Sequence, residues 1–186
     1  MKFERIALRP IERADLPYLL DLANDPVVRA QVVGWDWPLS MASQERWFDG
    51  GIDTATTRRL LIIAPGGEPI GVTGLWDIDW RAGTAMSAIK IGGDQAQRGR
   101  GYGTQAIRQM MEFAFVDVGL RRLYAQILAC NDASLALYRD KCGWVQEGVA
   151  RQHVWKDGRY RDVVNLAMLR EEYLAWKDGL GAAHEH

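Results

Sequence analysis

Between residues 98 and 104 the chain reads Arg98-Gly99-Arg100-Gly101-Tyr102-Gly103-Thr104, with glycines at alternate positions and two arginines among them. Glycine lets backbone approach a ligand closely, and a helix starting here aims unpaired N–H groups outward. With guanidinium groups beside it, such a turn suits a phosphate or pyrophosphate. A P-loop requires a lysine and then Ser or Thr after its last glycine; Thr104 follows here without the lysine, so Walker-type hydrolysis is poorly supported. A dinucleotide fingerprint can be written over Gly101-Tyr102-Gly103-Thr104-Gln105-Ala106, but it does not follow directly from an early strand as a Rossmann turn must. Cys130 has no His/Asp activation pattern around it and is read as a packing residue, and His153 as a structural histidine.

The elements that position this turn follow from periodicity and punctuation. Phe3 to Leu8 reads as a strand, and Arg13 to Ala23 as a helix with Leu16, Leu19, Leu20 and Ala23 on one face, ended by Asn24-Asp25-Pro26. Gly34-Trp35-Asp36-Trp37-Pro38 is an aromatic loop, after which Ser40 caps a second helix carrying Met41, Trp47 and Phe48. Arg59 to Ala64 and Pro69 to Leu75 form a hairpin, and Thr84 to Ile91 a further strand. A helix from Thr104 to Val118 buries Ile107, Met110, Met111, Ala114, Phe115 and Val118 in one stripe. Strand Arg121 to Leu128, helix Asn131 to Lys141, a hairpin of Trp144 to Val154 with Asp162 to Leu169 around Asp157-Gly158, and a helix Arg170 to Lys177 complete the order. This mixture predicts one α/β sheet covered by helices on both sides.

Two separated blocks carry a resemblance to a known family. The glycine segment matches the Arg/Gln-x-x-Gly-x-Gly/Ala signature of the GCN5-related N-acetyltransferase superfamily. Asn131 to Trp144, with Tyr138 and the Gly143-Trp144 strand start, resembles its second conserved block. Glu147-Gly148, Asp157-Gly158-Arg159-Tyr160 and Asp162 are similar to the branch acting on ribosomal-protein N-terminal alanine and, in relatives, on small amines. The resemblance implies a single mixed, mostly antiparallel sheet with a splayed central parallel strand pair. The resemblance covers roughly residues 6 to 173, and the chain is read as one acyl-CoA N-acyltransferase domain over residues 1–178 followed by a flexible tail over 179–186.

What the family implies for chemistry is direct transfer of an acetyl group from acetyl-CoA, a cosubstrate, to a primary amine. The backbone of Arg98, Gly99, Arg100, Gly101, Tyr102, Gly103 and Thr104 would hold the CoA pyrophosphate, and the Ile91 N–H the thioester carbonyl. Asn131 can hydrogen-bond a pantetheine amide, or simply cap the helix it precedes. Tyr138 would protonate the departing thiolate; an ordinary tyrosine pKa suffices for that. Thr84 to Ile91 contains no Asp or Glu, so Asp77 and Asp79 are the nearest base candidates, with water-mediated deprotonation equally compatible.

The acceptor is expected against Trp35, Asp36, Trp37, Glu45 and Ser87, where indole faces attract a cationic amine. A protein or peptide N-terminus is the leading acceptor; a polyamine or aminoglycoside-like amine, or a noncatalytic acyl-CoA sensor, is the alternative. At 186 residues, with 23 basic against 24 acidic residues, the composition gives no general drive toward nucleic acid or anionic membrane. Two cysteines without ligand spacing, no metal site, no signal segment and no apolar stretch of spanning length point to a cytoplasmic protein. The resemblance adds a homodimer.

Overall fold

The computed structural model describes residues 5–92 and 99–182. Its sheet has seven strands: β1 (Ala7–Pro10), β2 (Arg58–Ile63), β3 (Pro69–Asp79), β4 (Thr84–Ile91), β5 (Arg122–Leu128), β6 (Val145–Lys156) and β7 (Arg159–Leu169). They lie in the order β1-β2-β3-β4-β5-β7-β6, and every neighbouring pair is antiparallel except β4 and β5. The mixed, mostly antiparallel sheet expected from the sequence is therefore what forms.

Among the described residues six α-helices cover both faces. On one side lie α1 (Leu16–Asn24), α2 (Pro26–Gln31) and α3 (Met41–Asp49); on the other lie α4 (Tyr102–Glu112), α5 (Asp132–Cys142) and α6 (Arg170–Ala182). The split follows from strand alternation, because successive side chains point to opposite faces. Leu61 and Val72 pack with Leu19 and Leu22 of α1 and Val28 of α2. Leu75, Ala85, Leu123, Ala125 and Ile127 instead meet Ile107, Met110 and Met111 of α4 with Leu135 and Tyr138 of α5.

Several local outcomes differ from the sequence reading for identifiable reasons. Asn24-Asp25-Pro26 ends α1 as expected but also starts α2, a helix the sequence reading lacked: the Asp25 carboxylate accepts from the Val27 N–H at 2.7 Å, and Pro26 stands in the first turn, where its missing N–H costs nothing. The stripe predicted as one helix to Val118 leaves α-geometry at Phe113, and a π turn over Phe113–Asp117 closes with Val118 N–H donating to the Phe113 carbonyl at 2.9 Å. Residues from Gly179, expected as a tail, remain helical through Ala182.

Candidate active site

The central feature is a sheet that comes apart. β4 and β5 are paired only at Thr84↔Arg122, Ala85↔Leu123 and Met86↔Tyr124, after which their register ends and the strands diverge. β4 continues to Ile91 held by β3 alone, with Leu75↔Ser87, Thr73↔Ile89 and Gly71↔Ile91 as partners. The Gly92 N–H donates to the Ile70 carbonyl at 3.2 Å. Because N–H directions alternate along a strand, Ser87, Ile89 and Ile91 turn their N–H groups away from β3, into the opening. A V-shaped slot lined by backbone donors results.

The glycine turn stands at the mouth of this slot. Gly99 and Gly101 take φ values of 78° and 79°, the left-handed region in which any other residue is strained. A Cβ at either position would meet nothing within 4 Å, so the turn faces open space. Gly103 is packed instead: a Cβ there would come within 3.3 Å of Leu137 and 3.4 Å of Ile91, so this glycine lets α4 begin between β4 and α5. No side chain caps α4, which leaves its N-terminal dipole available to an anion. Tyr102 buries its ring against Ile62, Ile70 and Ala106, anchoring the turn while only its backbone faces outward. Arg98 lies outside the described residues.

Tyr138 projects from α5 to the vertex and is 2% exposed. Trp144 packs edge-on against its ring, centroids 4.8 Å apart, and the indole N–H in turn reaches the Met111 sulfur at 3.3 Å. Ser87, on the first residue after the strands part, has a buried hydroxyl without a well-formed hydrogen bond. It lies near enough to the Tyr138 hydroxyl to favour ionisation, but burial dominates and drives the phenol pKa above its ordinary value. The ordinary tyrosine expected from the sequence is thus corrected. Ser87, expected on the acceptor side, shares the Tyr138 face with Ala85, Ile89 and Ile91.

The opposite face of the vertex carries cations and indoles. Lys90 Nζ sits 4.6 Å from the Trp76 ring centroid and 5.2 Å from that of Trp35. The Arg59 guanidinium lies over Trp47 at 5.3 Å and over Trp76 at 6.0 Å. Loss of hydration among the rings, with repulsion from Arg59, pushes the Lys90 pKa down to about 8. Nothing in the sequence around Lys90 marks it as part of a site, although alternation along Thr84 to Ile91 does put Met86, Ala88 and Lys90 on one face. Trp35 is held in place by Lys156, 7% exposed, whose ammonium donates to the Trp35 carbonyl at 2.9 Å and the Arg29 carbonyl at 3.2 Å and pairs with Asp36 at 2.7 Å.

A match to the acetyltransferase (GNAT) domain family extends over residues 5–145. This chain belongs to that family. It is similar to the spermidine N(1)-acetyltransferase of Vibrio cholerae, 25% identical over 170 residues that cover 91% of this chain and 96% of the relative. It is 30% identical to the L-methionine sulfoximine/L-methionine sulfone acetyltransferase of Pseudomonas aeruginosa over 169 residues, 87% of this chain and 93% of that one. Among solved structures, the Vibrio cholerae spermidine N-acetyltransferase in complex with CoA and spermine superposes with a TM-score of 0.83 at 26% identity, covering 91% of this chain and 98% of that one. The GNAT assignment makes this protein an acetyl-CoA-dependent acetyltransferase, with acetyl-CoA as its cosubstrate.

Within the GNAT frame the remaining expected residues fall into separate places. Asn131 caps α5, accepting from the Ser134 N–H at 3.0 Å, while its amide nitrogen donates to the Gln31 carbonyl at 3.0 Å. Asp77 takes φ 50° at the irregular end of β3, where the bulge re-aims its side chain, and its exposed carboxylate acts electrostatically on Tyr124, the last β5 residue paired with β4. Asp79 does not reach the vertex: it lies opposite Thr84 at the closed end, and its carboxylate accepts from the Ala82 N–H at 2.8 Å. Asp36, expected to attract a cation, is neutralised by Lys156. Trp37, expected on the acceptor, is 82% exposed and lines a cleft of about 730 Å³ with Pro26, Arg29, Val154 and Trp155. Glu45 points to solvent beside the buried Gln44. Cys130, read as a packing residue, is exposed. No helix among the described residues is long and apolar enough to cross a membrane.

Proposed function

We propose that this GNAT enzyme acetylates a primary amine on a small molecule. The observation that carries the reading is the vertex itself, where backbone donors, Tyr138 and an open acceptor face converge at the point where β4 and β5 part. The relatives support a small acceptor over a protein N-terminus: spermidine N(1)-acetyltransferases of Vibrio cholerae and Escherichia coli align along 91% of this chain, which makes polyamines the first acceptors to test. The amino-acid acceptors named for the Pseudomonas relatives make a second class.

In the proposed reaction CoA lays its pyrophosphate on the turn from Gly99 to Thr104, joined by Arg98 and Arg100, and its pantetheine along the slot past Asn131. The Ile91 N–H, with those of Ser87 and Ile89 on the same edge, holds the thioester carbonyl as it gains negative charge. The neutral amine attacks the carbonyl carbon, the carbon–nitrogen bond forms, and the carbon–sulfur bond breaks. Tyr138 gives its proton to the leaving thiolate, and the proton shed by the nitrogen as the amide forms returns through water to the tyrosinate, which burial disfavours. Burial keeps Tyr138 protonated at neutral pH, and the thiolate, desolvated in the same vertex, has its proton affinity raised alongside. Asp77, through water, takes the proton from the incoming ammonium. The supply of acetyl-CoA fits a cytoplasmic enzyme, and the family resemblance carries a homodimer, which light scattering checks.

The deciding experiment is CoA release with spermidine, spermine, L-methionine sulfone and short Ala- or Ser-initiated peptides. Turnover of small amines above background hydrolysis is expected. Turnover of peptides alone sinks the small-molecule reading, and tight acetyl-CoA binding without any turnover replaces it with a sensor.

A further inference from the structure

The acceptor face of β4 holds a charge imbalance that the transfer mechanism does not use. Lys90 lies opposite Val72, and its neighbours on the same face are Ala88 and, across the ladder, Gly74, which pairs with Ala88. These two positions offer almost no side chain, so the lysine stem can run along the sheet floor toward Trp76. Trp76 pairs with Met86, the last β4 residue bonded to β5, so the ammonium is carried back toward the vertex. Gly74 cannot be exchanged cheaply, since a Cβ there would collide with the Arg58 carbonyl oxygen.

Arg59 approaches the same Trp76 ring from β2, so one indole serves two cations that repel each other. Among the described residues neither has a carboxylate within ion-pair distance. Asp53 stabilises the Arg59 charge from a distance while its oxygen accepts from the Arg59 backbone N–H at 2.8 Å, and the guanidinium donates to the Ile52 carbonyl. Asp77 lies toward Tyr124 instead. Tyr18, in the same hydrophobic cluster as Trp35 and Trp47, adds a buried hydroxyl without a partner. Partly desolvated cations and a spare hydroxyl donor, all on one face, are an arrangement completed by an anion.

We infer that Lys90 and Arg59 form an anion-binding pair on the acceptor side of the vertex, and that the preferred acceptor carries a carboxylate beside its reactive amine. The inference rests on the small-molecule reading and narrows it to amino-acid-like amines. The amine then projects toward the slot with Asp77 on its far side, while the carboxylate settles between two cations. A polycation meets like charge at the same place, and its cation–π attraction is already taken up by the protein's own side chains.

Matched acceptors that differ by one carboxylate test this: L-ornithine against putrescine and L-lysine against cadaverine, by initial rates with acetyl-CoA and by calorimetric titration of the CoA-loaded protein. The carboxylate member of each pair is expected to bind and react at least about tenfold better, and Lys90→Met or Arg59→Met to erase most of that advantage while the diamines change little or improve. Equal binding within each pair, a preference for the diamine, no binding by either, or an advantage that survives both substitutions overturns the inference. Diamine or spermidine turnover with no carboxylate preference leaves the small-molecule reading standing, whereas turnover of peptides alone removes both.

Discussion

The two faces of β4 are built on opposite electrostatic principles. On the side of Ser87, Ile89 and Ile91, a neutral phenol is sealed among apolar groups and one orphaned hydroxyl, so that burial is the main force holding its proton. On the side of Ala88 and Lys90, charge is held partly out of water and steadied by indole faces. In the proposed reaction a single strand thus separates the side that would store a proton from the side that would read the acceptor, using only the alternation of its side chains. The difference teaches that the two functions can be damaged independently.

The strongest way to break the comparison is Tyr138→Phe, which keeps the ring against Trp144 and removes the proton. Turnover should fall about 100-fold or more, with acetyl-CoA binding in calorimetry nearly unchanged. If kcat is unaltered across the pH range, the proton-storing face has been misassigned.

Lys156→Met attacks the other face from a distance. It removes the ammonium that ties Asp36 and the Trp35 carbonyl to β6, and urea unfolding should register a loss of about 2 kcal/mol, with a raised KM for the acceptor and an unchanged one for acetyl-CoA. A matching rise in both KM values would mean that the faces are not separable.

Asp77→Asn sharpens the division of proton work. Turnover at neutral pH should drop about tenfold, and the deficit should shrink as pH approaches the pKa of the acceptor, where the free amine no longer needs a base. A deficit constant with pH would make Asp77 a structural residue.

Lys90→Met gives the smallest effect and the most specific sign. The folded lysine has a pKa of about 8 against an ordinary value of 10.5, so between these values the unfolded chain holds the extra proton and wild-type stability gains as pH rises. The variant should therefore be more stable than wild type by roughly 1 kcal/mol below pH 8, after allowance for screening and lost cation–π contact, and the gain should fade toward pH 10.5. Thermal melts at several pH values measure it.

Much of this arrangement was legible in the sequence, because the features that define it are local. The alternating glycines before an amphipathic stripe located the start of α4, and Asn131 with Tyr138 located α5. The Ser40 cap and the Asp157-Gly158 turn also appear where punctuation put them. What escaped depended on partners distant along the chain. Asp36 looked like free acid until Lys156 of β6 was folded onto it. Asp77 and Asp79 were equivalent by proximity to β4, and only the bulge and register of β3 separated the one near Tyr124 from the one that caps a turn. Alternation alone puts Lys90 on one face of its strand, but its indole neighbours come from a loop and another strand.

The three-pair seam between β4 and β5 has a thermodynamic corollary. A sheet that stops pairing halfway leaves backbone groups whose natural complement is a ligand lying in the slot like a missing strand. Cosubstrate occupancy and fold integrity are then linked quantities: at a free concentration 100 times its dissociation constant, acetyl-CoA would add about 2.7 kcal/mol to resistance against unfolding. The lifetime of this protein against proteolysis would follow the acetyl-CoA pool, making its abundance a slow readout of the metabolite it consumes.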